Sequence, residues 1–312
     1  MPARKLLAYA AIYILWSGSF LAIREIVVVV PPLFAAGFRF TLAGAVLLLW
    51  GRISTRTSLT LRQFLSAAML GFIMFACLYA PLFWAETRIA SGIAAVISAM
   101  IPVWIFAGEL FVLRTQRATT LAVGGIALGF GGIVLLSVHS SGGAAHVSTL
   151  AILATLAGTV CWSAGTLWSR HLALPQPQKA NAGWQMFLGG LMLLTLAAAT
   201  REFDRMPPPS VLLSTRVVVS MAYLVIAASI ISYTAYVWLI AHDSPTRVSS
   251  YAYVNPVFAL IAGATLAGEH LTPLQIAGAA LVVAGVFATL RGRNTTAAVG
   301  NAKESSRAAA VR

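Results

Sequence analysis

Polar residues are sparse along this chain, and they gather in short clusters between long apolar runs. Ten such runs stand out, at approximately residues 5–28, 33–50, 64–85, 90–113, 118–137, 148–170, 182–200, 216–241, 245–267 and 273–290. A helix needs about 20 residues to cross a hydrocarbon core about 30 Å thick, and most of these runs have that length. Lipid supplies no partners for backbone amides, so a crossing run must satisfy its own as a helix. The pattern predicts an all-α membrane protein with ten transmembrane helices. The longer breaks are 51–63, 138–147, 171–181 and the Pro-rich 201–215, and none has room for a soluble domain.

The pattern also occurs twice. At one offset of 146, Trp16 meets Trp162, Ser17 meets Ser163, Leu21 meets Leu167 and Arg24 meets Arg170. The same offset pairs Leu42 with Leu188, Gly44 with Gly190, Leu47 with Leu193 and Leu48 with Leu194. Later the offset becomes 154, pairing Tyr79 with Tyr233, Trp84 with Trp238, Pro102 with Pro256, Gly124 with Gly278 and Gly131 with Gly285. The two copies span residues 5–137 and 148–290, five runs each. Five is odd, so the second copy enters the membrane from the opposite side. The expectation is two inverted five-helix repeats around a central cavity, related by an axis in the membrane plane. Two halves that exchange slightly different shapes would open that cavity to each side in turn.

Composition agrees with lipid as the solvent. Hydrophobic residues are 59% of 312 and charged residues 9%, against roughly 25% charge in soluble domains. The formal charge of +13 raises nucleic acid as a partner, and its distribution argues against that. With the N-terminus inside and ten crossings, 15 of the 21 Lys and Arg fall on inner segments, including Arg4, Lys5, Arg62, Arg114, Arg170, Lys179, Arg247 and Arg291. Basic residues in short loops stay cytoplasmic, so the excess sets orientation and puts both termini in the cytoplasm. The basic start at Arg4 and Lys5 also suits a secretory signal, but the apolar run continues past Leu21 with no small-x-small site. The segment 291–312, rich in Ala, Ser, Asn and Arg, is expected to be a cytoplasmic tail without fold.

A few residues carry candidate chemistry. Trp16, Phe20 and Arg24 share a helical face by i, i+4 spacing, and Trp162, Thr166 and Arg170 repeat it. Aromatic rings bind flat apolar or cationic groups, and they also simply pack a core. Arg39 lies about seven residues inside its run. A charge there is costly, about 2.5–3.5 kcal/mol on insertion scales, and normally pairs or faces water. Glu25, Glu86 and a substrate carboxylate are the candidate partners. Arg24 lies nearer the interface. Glu109 suits a coupling proton or an ion pair with Arg114, while Glu86 near Arg88 and Glu269 near His270 read as interfacial. Pro102 and Pro256 fall mid-run at matching positions, where proline withholds a donor and kinks or breaks a helix. The carbonyls so freed can line a cavity, or the bends merely fit the bundle. Asn255, beside Pro256, and Tyr253 offer polar contacts to cargo or to that backbone. Trp84 and Trp238, near run ends, suit an interfacial belt. The five histidines lack ligand spacing, no GxSxG or phosphate loop occurs, and Cys77 and Cys161 suggest no disulfide. No cofactor or metal is signalled, and an intramembrane enzyme has no visible nucleophile.

The stretches Trp16 to Arg24, Phe38-Arg39-Phe40, Ser91-Gly92-Ile93-Ala94-Ala95 and Ser250 to Val257 carry a family resemblance, as does Gly268-Glu269 followed by Gly278 and Gly285. In these the chain resembles the EamA-type transporters of the drug/metabolite transporter superfamily, over about residues 5–290. The resemblance implies a basket of helices around a central cavity, with the fifth and tenth lying peripherally. It implies a secondary carrier of the bacterial inner membrane that exports a small-molecule substrate such as an amino acid or an amphipathic compound, with protons as the candidate coupling ion. An importer on the same fold and a non-transporting sensor or scaffold are the alternatives. Glu269 departs from the repeat, since Thr115 stands at the matching place in the first copy. The substrate contacts are then expected from Trp16, Phe20, Arg39, Trp162, Tyr253 and Asn255, the kinks from Pro102 and Pro256, and coupling or ion pairing from Arg24, Glu86 and Glu109.

Overall fold

The computed structural model of this chain describes residues 2–54, 59–115, 117–138, 148–243, 245–266, 268 and 272–310. No strand occurs among them. Besides single turns at Phe203–Arg205, Pro209–Leu212 and Pro245–Val248, the helices are α1 (Pro2–Val27), α2 (Pro32–Ser54), α3 (Leu61–Glu86), α4 (Ser91–Val112), α5 (Thr120–Val138), α6 (Thr149–His171), α7 (Gln178–Ala199), α8 (Thr215–His242), α9 (Tyr251–Leu266) and α10 (Pro273–Ala310). Eight of them are long and apolar enough to cross a membrane. In the other two, α5 and α9, the apolar helices Thr120–Leu136 and Val254–Leu266 are shorter.

Local chemistry sets several starts. Thr60 and Gln63 exchange side-chain and backbone hydrogen bonds ahead of α3, and Thr272 and Gln275 do so at α10. Each box satisfies two of the donors that a helix start leaves orphaned. The ninth run was expected to be one span from 245. It is instead a single turn at Pro245–Val248, a turn at Ser249–Ser250, and then α9. Ser250 bonds Arg247 O through both its N–H and its hydroxyl, and such local bonds compete with helix continuation. The tail, expected without fold, continues α10 as far as Ala310. Its alanines are the strongest helix formers.

Wide π turns interrupt α3 at Gly71–Ala76 and α8 at Leu224–Ile231. At the offset of 154 these two segments coincide. A third lies in α4 at Gly108–Val112. Such turns displace carbonyls from the α ladder and recur at functional sites.

The helix pairs also match between halves. α2 packs on its counterpart α7, and α5 on its counterpart α10. The pairs α1 with α8 and α1 with α9 are answered by α6 with α3 and α6 with α4. Small residues bring the backbones close. A Cβ at Gly44 would lie 2.4 Å from Phe187 N, and one at Gly190 would lie 2.4 Å from Thr41 N. These two contacts exchange at the offset of 146. Between α5 and α10 the exchange works at 153 rather than the expected 154. A Cβ at Gly125 would lie 2.6 Å from Gly285 O and one at Gly132 would lie 2.6 Å from Gly278 O, whereas Gly124 and Gly131 meet nothing within 4 Å. Adjacent glycines made the two registers indistinguishable by letters alone.

Charges collect at the two ends of the bundle. At one end Asp243 takes Lys5 at 2.6 Å, Arg247 at 3.7 Å and the Tyr9 hydroxyl at 2.9 Å. At the other end Arg216 pairs with Glu25, and Phe34 N–H donates to Glu202 at 2.8 Å. Burial pushes the Glu202 carboxyl above its usual range, against the N–H groups of Phe34 and Leu33 and the charge of Arg205. Trp84 and Trp238 each lie near a helix end with an arginine over the ring, Arg88 at 4.1 Å and Arg4 at 4.8 Å.

Candidate functional site

Two cavities lie along the centre of the bundle. The first, about 50 Å³, is walled by α1, α3, α4, α6 and α9. Trp16, Phe20, Trp162 and Asn255 all line it, so four of the six expected substrate contacts come together. Arg39 does not line it, and the side chain of Tyr253 lies outside the described residues.

Trp16 is the hub. Its indole N–H donates to Ala228 O at 2.9 Å, a carbonyl of the π segment in α8. Its ring meets Trp162 edge-on at 6.1 Å, Tyr251 edge-on at 5.0 Å and Tyr236 tilted at 5.3 Å. Edge-to-face pairs of this kind contribute about 0.5–1.5 kcal/mol beyond area, so the rings hold one another in place. Tyr251 is one turn before Asn255 and therefore shares its face. That spacing is the sequence signal for Tyr251, whereas the residue expected among the substrate contacts is Tyr253.

The polar edge of the cavity is built by backbone and short side chains. Asn255 is buried, and its amide is satisfied when Nδ2 donates to Ser17 Oγ at 3.0 Å and to the carbonyls of Tyr13 and Tyr251 at 3.2 Å. In the equivalent place of the other half, Ser163 donates to Ile101 O at 3.0 Å. Ser19 and Ser98 also face the cavity while bonding their own helices, at Trp16 O and Ala94 O. The two prolines act differently. A turn at Ala99–Met100 breaks α4 just before Pro102. α9 runs through Pro256 unbroken, because its interruption falls earlier, at Ser249–Ser250. In both helices the carbonyl denied its donor, Ser98 or Ala252, belongs to a residue lining the cavity.

The second cavity is a vestibule of about 190 Å³ between α6, α7 and α8, toward the end that carries Asp243. Its lining mixes apolar residues such as Met74, Leu174 and Ile240 with a chain of hydrogen-bonded polar ones. Tyr233 donates to Gln185 at 2.6 Å, Gln185 donates to Asn181 at 2.6 Å, and Thr166 and Tyr236 share a bond of 2.9 Å. Arg170 stands at its rim. Trp162 packs on Tyr233 at 6.1 Å and on Tyr236 at 5.6 Å, so one aromatic layer separates the two cavities. No residue of α5 or α10 lines either cavity. The vestibule was not expected. Gln185 and Asn181 are apolar-flanked amides one turn apart, the one signal that pointed there.

The charged candidates occupy other ground. Arg39 is 1% exposed, its Nε donating to Ser229 at 2.9 Å and its guanidinium 4.5 Å from the ring of Phe40 and 5.3 Å from that of Tyr79. Glu25, one candidate partner, pairs with Arg216 instead. Arg24 donates to the backbone carbonyl of Glu86. Glu86, the last residue of α3, is fully buried. Glu109 is buried in the π segment of α4, away from both cavities. Glu269 lies outside the described residues. No cluster of three metal-ligating side chains exists among the described residues.

The EamA-like transporter family model matches the chain twice, over residues 4–138 and 149–291. The chain belongs to the EamA-like transporter family. The double match covers both halves, and each copy brings the cavity one tryptophan and one proline-bearing helix. Among relatives, the chain is 32% identical to an uncharacterized inner membrane transporter of Escherichia coli K12, YedA, over 91% of this chain and 90% of that protein. It is 25% identical to a probable amino-acid metabolite efflux pump of Salmonella typhimurium, over 90% and 93%. A solved crystal structure superposes with a TM-score of 0.64 at 19% identity, covering 95% of this chain and 99% of that one, and so shares the fold. An EamA-like chain with this composition is a membrane transporter.

Proposed function

We propose that this EamA-like protein is a secondary carrier that exports a small metabolite by alternating access at the aromatic cavity. The observation carrying the reading is that both halves contribute matching residues to one site. Trp16 and Trp162, Ser98 and Ala252, and Ile101 and Asn255 all line it and correspond at the offsets of 146 and 154. Inverted repeats bind cargo where the halves meet, with irregular backbone at the site. The exchangeable helix contacts support ten crossings in two inverted five-helix repeats. The cargo is held by Trp16, Phe20, Trp162 and Asn255, the aromatic faces taking an apolar or cationic part and the amide a polar one. The name of the efflux relative supports outward direction and an amino-acid-like cargo. The basic excess on segments inner to this topology supports cytoplasmic termini. Flux of a mixture of labelled amino acids into inside-out vesicles, under an imposed proton gradient and its reverse, tests both direction and coupling. Accumulation only under the importing arrangement overturns export.

A further inference from the structure

The second half carries an open vestibule, and its counterpart in the first half is shut. At the offset of 146, Gln185 corresponds to Arg39, Asn181 to Ala35, Thr166 to Phe20 and Arg170 to Arg24; at 154, Tyr233 corresponds to Tyr79 and Tyr236 to Leu82. Packing confirms the register, since the Gly44–Phe187 and Gly190–Thr41 contacts flanking Arg39 and Gln185 exchange at 146. The tyrosines repeat too. Tyr233 donates to Gln185, and Tyr79 lies beneath the guanidinium of Arg39. Yet Gln185 and Asn181, themselves buried, line the 190 Å³ vestibule, whereas Arg39 and Ala35 line neither cavity and Phe20, Tyr79 and Leu82 face only the 50 Å³ one.

We propose that in the carrier's other state the shut half opens into a counterpart vestibule where Arg39 binds a carboxylate of the cargo. This rests on the carrier reading above. Exchange of shapes between the halves gives Arg39 the surroundings that Gln185 has now. Its Nη1 has no hydrogen-bond partner among the described residues and is buried. A guanidinium presents paired donors that match a carboxylate, and a buried cation in a membrane chain calls for such a partner or for water. Gln185 is neutral and already engaged with Tyr233 and Asn181. The two access states therefore offer a carboxylate different binding, weak on the Gln185 side and strong on the Arg39 side.

The test uses single cysteines at Ala35 and at Asn181 in full-length protein whose Cys77 and Cys161 are replaced by serine. A membrane-impermeant maleimide is applied to cells and to inside-out vesicles. Ala35→Cys, buried here, is expected to label from the face opposite to that which labels Asn181→Cys. A mixture of amino acids should slow labelling of Ala35→Cys several-fold, while the matching amino alcohols, which lack the carboxylate, should not. Arg39→Gln should abolish that protection with labelling intact, and Arg39→Lys should keep part of it. Ala35→Cys that labels only after denaturation overturns the opening, whatever the flux assay shows. Labelling without protection, or protection that survives Arg39→Gln, overturns carboxylate recognition and leaves the carrier reading standing. Absence of flux with labelling and protection intact sinks the carrier reading alone.

Discussion

Trp16 ties three elements together with one side chain: a hydrogen bond to the π segment of α8, an edge contact to Trp162 on α6 and another to Tyr251 on α9. Trp16→Ala should lower flux about tenfold or more in vesicles containing equal amounts of protein, tenfold being about 1.4 kcal/mol. Trp16→Phe should retain more, since the ring contacts survive. Asn255→Ala removes the donor to Tyr13 O and Tyr251 O. Loss of a buried partner costs about 1–3 kcal/mol, read as a lower Tm in detergent. Glu202 gives a pH signature outside the spans. Its folded carboxyl is raised above 4.5 by burial, so the folded state holds the proton more tightly than the unfolded one. That contribution is fully present below about pH 4.5 and is lost as pH rises through the folded value. Melting curves of Glu202→Gln should lack this descending component; an unchanged pH profile refutes it. At this scale the sequence made Trp16, Phe20 and Trp162 legible through period-3.6 spacing within their helices, and Asn255 through its place beside Pro256. It left the burial of Glu86 unread, because that depends on how α1 and α3 meet.

Between helices, contact is set by small residues rather than by hydrophobic force. Gly44 meets the backbone of Phe187, and an added methyl there pushes α2 from α7. Gly44→Ala is expected to destabilise by about 1–3 kcal/mol, as overpacking does. Gly131→Ala, with nothing within 4 Å, should be neutral or gain up to about 1 kcal/mol of helix propensity. Thermal melts of Gly131→Ala beside Gly132→Ala, whose added Cβ would lie 2.6 Å from Gly278 O, check the register of 153 between α5 and α10. Equal losses at both sites would contradict it. The apolar runs had located these helices, but the π turns carry no letter pattern. They depend on tertiary contacts such as Ala228 O with Trp16, which draw a carbonyl out of the α ladder.

For the whole molecule, pairing of α2 with α7 and α5 with α10, and the crossed pairing of α1 and α6 with the other half, fit a two-fold exchange. Reporter fusions should place both termini in the cytoplasm and the 201–215 loop outside. A reporter active on opposite sides for the two termini would refute an even number of crossings. Both shorter apolar helices, in α5 and α9, must then cross, and the thinner bilayer they need is available by local thinning or by tilt of their neighbours.

The chain by itself determined that it dissolves in lipid as helices, that it consists of two similar halves, and that its aromatic residues lie on facing stripes. Those properties follow from composition and periodicity, which act locally. Which half is shut, where Arg39 hides its charge and which glycines touch were decided only by tertiary packing. The halves share their apolar pattern but differ at single positions, Gln185 against Arg39, Asn181 against Ala35 and Tyr236 against Leu82, and the periodicity that places a helix does not say which of these side chains will line a cavity.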